Sequence, residues 1–266
     1  MLRRVIAGFV LFTACFCWAQ AGRYYLGFDK NDYPGDKLLP ALHKTFAYTG
    51  FWLNNPPGMN SNPWAGKRAV VRSAGFGFVI LFNGRLDAQL KGQDAAALGA
   101  SDAKTAVASA RIEGFPVHAV IFIDQEEGGR LLPEQAAYLG AWFAGIAKAG
   151  SRAGIYCSGI DVPDGQSTIS TARDVAARYS GVKLWVFNDR CPPAPGCILK
   201  ASDPERSEIK DAVIWQYAQS PQSQFAAGCK AGYAEDKQCY PPGLPHTHAT
   251  QIDINTSNSS DPSAGR

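Results

Sequence analysis

The chain has 266 residues, with 26 Lys and Arg against 23 Asp and Glu and a formal net charge of +3. That balance leaves no electrostatic footprint for nucleic acid or for an anionic membrane surface. The length suits one large α/β barrel or two small domains, with core enough to need no staples.

The N-terminus reads as an export signal. Leu2-Arg3-Arg4 is a short basic region, and Val5 to Trp18 is an apolar stretch too short to span a bilayer comfortably. Ala19-Gln20-Ala21 has the A-x-A form of a cleavage site. The expectation is a signal peptide over 1–21 and a mature chain starting at Gly22. That chain would be secreted, or held in the periplasm or cell envelope, with no membrane insertion after cleavage. Losing Arg3 and Arg4 would lower the charge by two, from +3 to +1. An uncleaved anchor is one alternative. Another is a lipid on Cys15, since Phe12-Thr13-Ala14-Cys15 loosely resembles a lipobox that usually starts with Leu.

Strand-like and helix-like segments then alternate. A strand over Tyr24 to Asp29 precedes a helix near Asp36 to His43. A second strand, Phe46 to Leu53, leads through a Pro-rich loop to a helix near Trp64 to Ser73. The third strand is Gly77 to Asn83, and after a Gly-broken loop Ser101 should cap a helix to about Glu113. The fourth strand is Val117 to Asp124. Pro133 opens the clearest helix, which Gly150 ends. Strands over Ala153 to Ser158, Lys183 to Asn188, Ala212 to Ala218 and Thr250 to Ile254 complete the set, with a helix over Thr168 to Tyr179. Eight strands with intervening helices predict a single (β/α)8 TIM-type barrel over 22–256, irregular in its last third. Residues 257–266 read as a polar, disordered tail.

Five cysteines follow the signal segment. Cys191 with Cys197, and Cys229 with Cys239, are natural pairs in an oxidising compartment, although spacing alone leaves connectivity open. Cys157 sits in an apolar strand and reads as a buried inert thiol. His246 and His248 have no Cys or carboxylate partner nearby in sequence, so no metal and no cofactor is expected.

The chemistry gathers at strand ends. Val117 to Ile123 is a β-favouring run ending in Asp124-Gln125-Glu126, and alternation projects Asp124 and Glu126 to one face. Strand one ends in Asp29. Strand eight carries Asp253 and Asn255, strand seven Trp215-Gln216-Tyr217, and strand six Trp185. In a barrel these tips converge. Carboxylates beside aromatic side chains suit cleavage of a sugar polymer. Arg85, after strand three, is placed to contact substrate or to balance the acids. Glu127 should face away from Glu126.

From about Tyr24 to Thr256 the chain resembles the lysozyme-type barrels of glycoside hydrolase family 25. It resembles more closely the bacterial "glycoside hydrolase-like" barrels related to them. The resemblance rests on Asp29, the Asp124-x-Glu126 pair, Gly154-Ile155-Tyr156, Trp215-Gln216-Tyr217 and Asp253-x-Asn255. It implies Glu126 as the general acid. It implies Asp124 either supporting an oxocarbenium-like state or orienting a substrate N-acetyl group. Asp29 and Asp253 complete the acids, with Gln216 and Tyr217 lining the pocket and Trp215 nearby as a further substrate contact. The expectation is a monomeric, cofactor-free hydrolase of β-1,4 links in an amino-sugar polymer such as peptidoglycan. The alternative is a glycan-binding envelope barrel with little or no activity. Loops after Asn54 and Asn188 differ from those of the lysozymes and bear on substrate rather than fold.

Overall fold

A computed structural model describes residues 23–188, 199–219, 243–245 and 247–266. The signal segment, Cys15, His246 and the proposed Cys191–Cys197 and Cys229–Cys239 pairs lie outside the described residues.

The strands are β1 (Tyr25–Asp29), β2 (Tyr48–Trp52), β3 (Gly77–Asn83), β4 (Val120–Gln125), β5 (Arg152–Ser158), β6 (Val162–Asp164), β7 (Ser167–Ile169), β8 (Lys183–Phe187), β9 (Ala212–Ala218) and β10 (Asp253–Ser257). The helices are α1 (Leu39–His43), α2 (Arg68–Ser73), α3 (Asp87–Leu90), α4 (Ala95–Ile112), α5 (Pro133–Lys148) and α6 (Thr171–Arg178). Eight strands close a barrel in the order β1-β10-β9-β8-β5-β4-β3-β2. This is the expected α/β barrel, with one refinement. Seven strands run parallel, while β10 is antiparallel to both β9 and β1. No helix among the described residues is long and apolar enough to cross a membrane.

Central strands are buried on both faces, as parallel strands covered by helices must be. All six residues of β4 are buried. Aromatic edge-to-face contacts fill the layer between sheet and helices. Phe28 meets Phe46 and Phe76 at 5.4 and 5.8 Å, and Phe51, Phe78 and Phe115 form a second trio. The guanidinium of the buried Arg68 lies 4.8 Å over Phe115.

Three boundaries differ from the sequence reading for identifiable reasons. α4 starts at Ala95 rather than near Ser101, because Asp94 accepts a capping bond from the Ala97 N–H at 2.9 Å. Gly99 lies inside this helix because α5 packs on it: a Cβ there would come 2.1 Å from the Tyr138 carbonyl oxygen. Residues 162–169 form the β6–β7 hairpin, and Ser170, accepting from the Arg173 N–H, caps α6 after it. The last strand begins at Asp253 rather than Thr250. Thr250 is consumed in a turn, where its hydroxyl donates to the carbonyls of Pro245 and Thr247.

The expected disordered tail is a packed segment. Parallel strands of unequal length leave backbone groups of β3 and β4 unpaired at the end of the barrel where they start. Residues 260–266 satisfy them. Asp261 accepts from the Phe78 N–H at 2.8 Å, and the Ser263 hydroxyl accepts from Ile80 at 2.9 Å. The Ser263 carbonyl accepts from Val120 at 2.8 Å. Arg68 donates to the Gly265 carbonyl at 2.7 Å. Polar composition misled here because these side chains stand in for a missing ladder. Asp261→Ala should therefore lower stability by about 1–3 kcal/mol, read as a shift in urea midpoint at unchanged slope. An unchanged midpoint would show that the segment contributes nothing.

Candidate active site

The ends of β1, β4, β5, β8 and β9 meet the beginning of β10 around one cavity. Because β10 is reversed, its first residue, and not its last, lies at this face. Asp253 is directly opposite Asp29 in the β1–β10 register, and Asn255 is opposite Gly27. The cavity has a volume of about 390 Å³, within the range of small-ligand sites. Asp29, Asp124, Glu126 and Asp253 all border it, with Trp185 and Gln216. The four expected acids are thus brought together.

Two amides anchor Asp29. The Asn255 amide donates to its Oδ1 at 2.6 Å, and the Gln216 amide donates to the same atom at 3.0 Å. Both amides are themselves held. Trp185 Nε1 donates to Asn255 Oδ1 at 2.8 Å. The Tyr156 hydroxyl donates to Gln216 Oε1 at 2.7 Å, and Gln219 Nε2 donates to both Gln216 Oε1 and the Tyr156 oxygen at 2.8 and 2.9 Å. Burial raises the Asp29 carboxyl to about 6, against the pull of the two amide donors.

Asp124 has the opposite environment. It is 6 % exposed, and its Oδ1 has no hydrogen-bond partner among the described residues. Burial pushes it well above the usual carboxylate range, and the neighbouring Glu126 and Asp29 push the same way. Glu126 is also raised, by burial. A buried carboxyl beside a second one two residues on favours its protonated form more than an exposed one would. Tyr156, alongside Asp124 in the β4–β5 register, is held protonated by burial and by these acids.

The loop carrying Glu126 is clamped from behind. Glu127 Oε2 accepts from the Asp87 N–H at 2.8 Å and from Gln135 Nε2 at 2.6 Å, which ties the loop to α3 and α5. Glu127 thus faces away from Glu126, as alternation requires.

Other expected contacts fall elsewhere. Trp215 does not border the cavity; its Nε1 donates to the Asn188 carbonyl at 2.6 Å. Alternation turns it to the face opposite Gln216. Tyr217 also stays outside the cavity lining and packs 5.4 Å from Trp215. It occupies a bulge, since Gln216 is opposite Asn255 while Ala218 is opposite Ile254. Asn255 acts from behind, through Asp29. Arg85 is absent from the main cavity and forms a two-point pair with Asp102, at 2.6 and 2.9 Å.

Tyr156, Lys30 and Gln219 border the cavity without having been singled out as site residues. Tyr156 was findable: it stands near the end of its strand, at the position that register pairs with Asp124. Lys30 is buried and lies 3.6 Å from Asp32. Burial lowers its pKa, while Asp32 and Asp253 oppose that. Among the described residues no group of three or more His, Cys, Asp or Glu is arranged to hold a metal ion.

The raised carboxyls have a thermodynamic consequence. A carboxyl whose folded pKa exceeds its unfolded value favours the native state when protonated. For Asp29 that contribution is complete below about pH 4 and is lost as pH rises through about 6. Asp124 acts in the same direction. Asp124→Asn should therefore be more stable than wild type at pH 7, with the difference shrinking towards pH 4. Urea midpoints at both pH values test this, and a pH-independent difference would contradict the buried-acid assignment.

Residues 45–194 match the Rv2525c-like, glycoside hydrolase-like domain family. No curated protein matches the chain in sequence. Among solved structures, an uncharacterized B. stearothermophilus protein superposes with a TM-score of 0.55 at 17% identity, covering 87% of this chain and 94% of that one. The Mycobacterium tuberculosis Tat-secreted protein Rv2525c, in complex with L-tartrate, gives 0.51 at 12% identity, covering 88% and 95%. The Clostridium perfringens spore cortex lytic enzyme SleM gives 0.52 at 15% identity, covering 89% and 68%. At such identities the likeness is one of fold.

Proposed function

Because this chain belongs to the Rv2525c-like, glycoside hydrolase-like family, we propose that its barrel cleaves β-1,4 links of an amino-sugar polymer such as peptidoglycan. The observation that carries this reading is the pairing of the buried Asp124, whose Oδ1 has no hydrogen-bond partner among the described residues, with the exposed Glu126 across a cavity from the hydrogen-bonded Asp29. Glycoside hydrolysis needs one carboxyl that arrives protonated and others that stabilise positive charge at the anomeric carbon. Fold similarity to a spore cortex lytic enzyme supports the substrate class by analogy alone.

Glu126 donates its proton to the bridging oxygen as the glycosidic C–O bond breaks. Water adds its oxygen to the anomeric carbon and returns a proton to the carboxyl group, which restores the resting state. Asp124 Oδ1 lacks a donor in the free protein, and an N–H of a substrate acetamido group would supply one. That favours the orienting role for Asp124 over simple charge stabilisation. Asp29 and Asp253 add negative potential at the developing oxocarbenium-like centre. Tyr156 and Trp185 provide aromatic surface within the cavity. Export is part of the same proposal: the leader at 1–21 would deliver the barrel to its polymer, as a similar M. tuberculosis protein is Tat-secreted.

The test is release of reducing ends from peptidoglycan and from chito-oligosaccharides by wild type and Glu126→Gln. Turnover should fall by at least about 100-fold in the variant, with the thermal midpoint preserved. A folded wild type that is retained on the glycan without cleaving it would make the protein a glycan-binding barrel instead. Neither cleavage nor retention would remove glycans from consideration.

A further inference from the structure

Glu126 borders the main cavity and a smaller one of about 230 Å³ beside it. Its carboxyl has no hydrogen-bond partner among the described residues, unlike that of Asp29. With space on both sides and no bond of its own, this side chain takes its position from the backbone that carries it.

That backbone is tied at nearly every residue that follows. Glu127 is held to α3 and α5 by the two bonds its carboxylate accepts from the Asp87 N–H and Gln135 Nε2. From the other side, the Thr171 hydroxyl of α6 donates to the Gly129 carbonyl at 2.9 Å and to the Glu127 carbonyl at 3.3 Å. Asp174, further along α6, accepts from the Leu131 N–H at 3.0 Å and from Arg130 Nη1 at 3.3 Å. Arg130 Nε also donates to Asp164, on the β6–β7 hairpin, at 3.1 Å. Thr171 and Asp174 are both buried, so their bonds face little competition from water. The chain turns between them through Gly129, at a φ of 93° that favours glycine.

A general acid has to come within hydrogen-bond reach of the oxygen it protonates, and a misplacement of about 1 Å costs on the order of 100-fold in turnover. Asp29 gets its placement from side-chain amides. Glu126 has only the ties on its loop. We propose that Thr171 and Glu127 are positioning residues for Glu126, gripping its loop from opposite sides so that the unbonded carboxyl meets the scissile link. The proposal rests on the glycosidase reading and names what places its acid. The same bonds also stabilise the fold, so their part in the reaction is read from turnover per folded molecule.

The experiment measures kcat and KM on solubilised peptidoglycan and on a chito-oligosaccharide for wild type, Thr171→Val, Thr171→Ser and Glu127→Ala, with thermal midpoints alongside. Valine keeps the shape of threonine and removes the hydroxyl, whereas serine keeps the hydroxyl. Thr171→Val should lower kcat about tenfold or more with KM within about twofold, and Thr171→Ser should recover most of that loss. Glu127 is partly exposed, so Glu127→Ala should fold even if Thr171→Val does not, and it should show the same loss in kcat. Folded variants with wild-type kcat, a loss seen in KM alone, or a serine variant no better than the valine one would overturn this inference. Each of those results leaves the glycosidase reading intact, because wild type still cleaves. A wild type that cleaves neither substrate would overturn both.

Discussion

The bond from the Asn255 amide to Asp29 Oδ1 is the contact on which the site depends. It joins β10 to β1, the seam where the barrel closes, and it does so with a buried acid. Stripping a carboxylate of water is costly unless fixed dipoles replace the water. Here two amides do so, and each is oriented in turn by a neighbour on β5, β8 or the end of β9. The web spans five strands. It gives Asp29 a defined position and makes the reversed last strand part of the site rather than a mere closing element.

The contrast between Asp29 and Asp124 follows from that web. Both are buried, yet only one is satisfied. Asp29 can ionise near neutral pH because the amides favour the charged form. Asp124 has no such help and faces two other acids. One cavity thus holds carboxyls of different character, a common way to assign distinct proton-transfer roles. Stability at neutral pH is lowered in the process. The aromatic layer and the C-terminal segment that completes β3 and β4 lie away from the cavity and offset that cost.

Much of the fold was legible because its signals are local. Apolar runs bounded by turn residues marked the strands, and β3 and β9 fall where the pattern put them. Pro133 and Gly150 framed α5. The Asp124-x-Glu126 spacing required a shared face whatever the rest of the chain did. Legibility failed where a partner distant in sequence made the decision. Gly99 looked like a break until α5 came against it. Residues 257–266 looked like a tail until the unpaired backbone of β3 and β4 was in place. Trp215 and Tyr217 looked like sugar platforms, but the strand's facing and a bulge turned them away.

What the sequence determined by itself is the eight barrel strands, the helix limits marked by Pro and Gly, and the identity of the acids, because each depends on residues within a few positions. What only the tertiary structure decided is the direction of the last strand, the unequal environments of Asp29 and Asp124, and which side chains border which cavity. Those depend on contacts between residues such as Asp29 and Asn255, far apart along the chain. Alternation and propensity are properties of a segment, whereas desolvation and hydrogen-bond satisfaction are properties of whatever surrounds it.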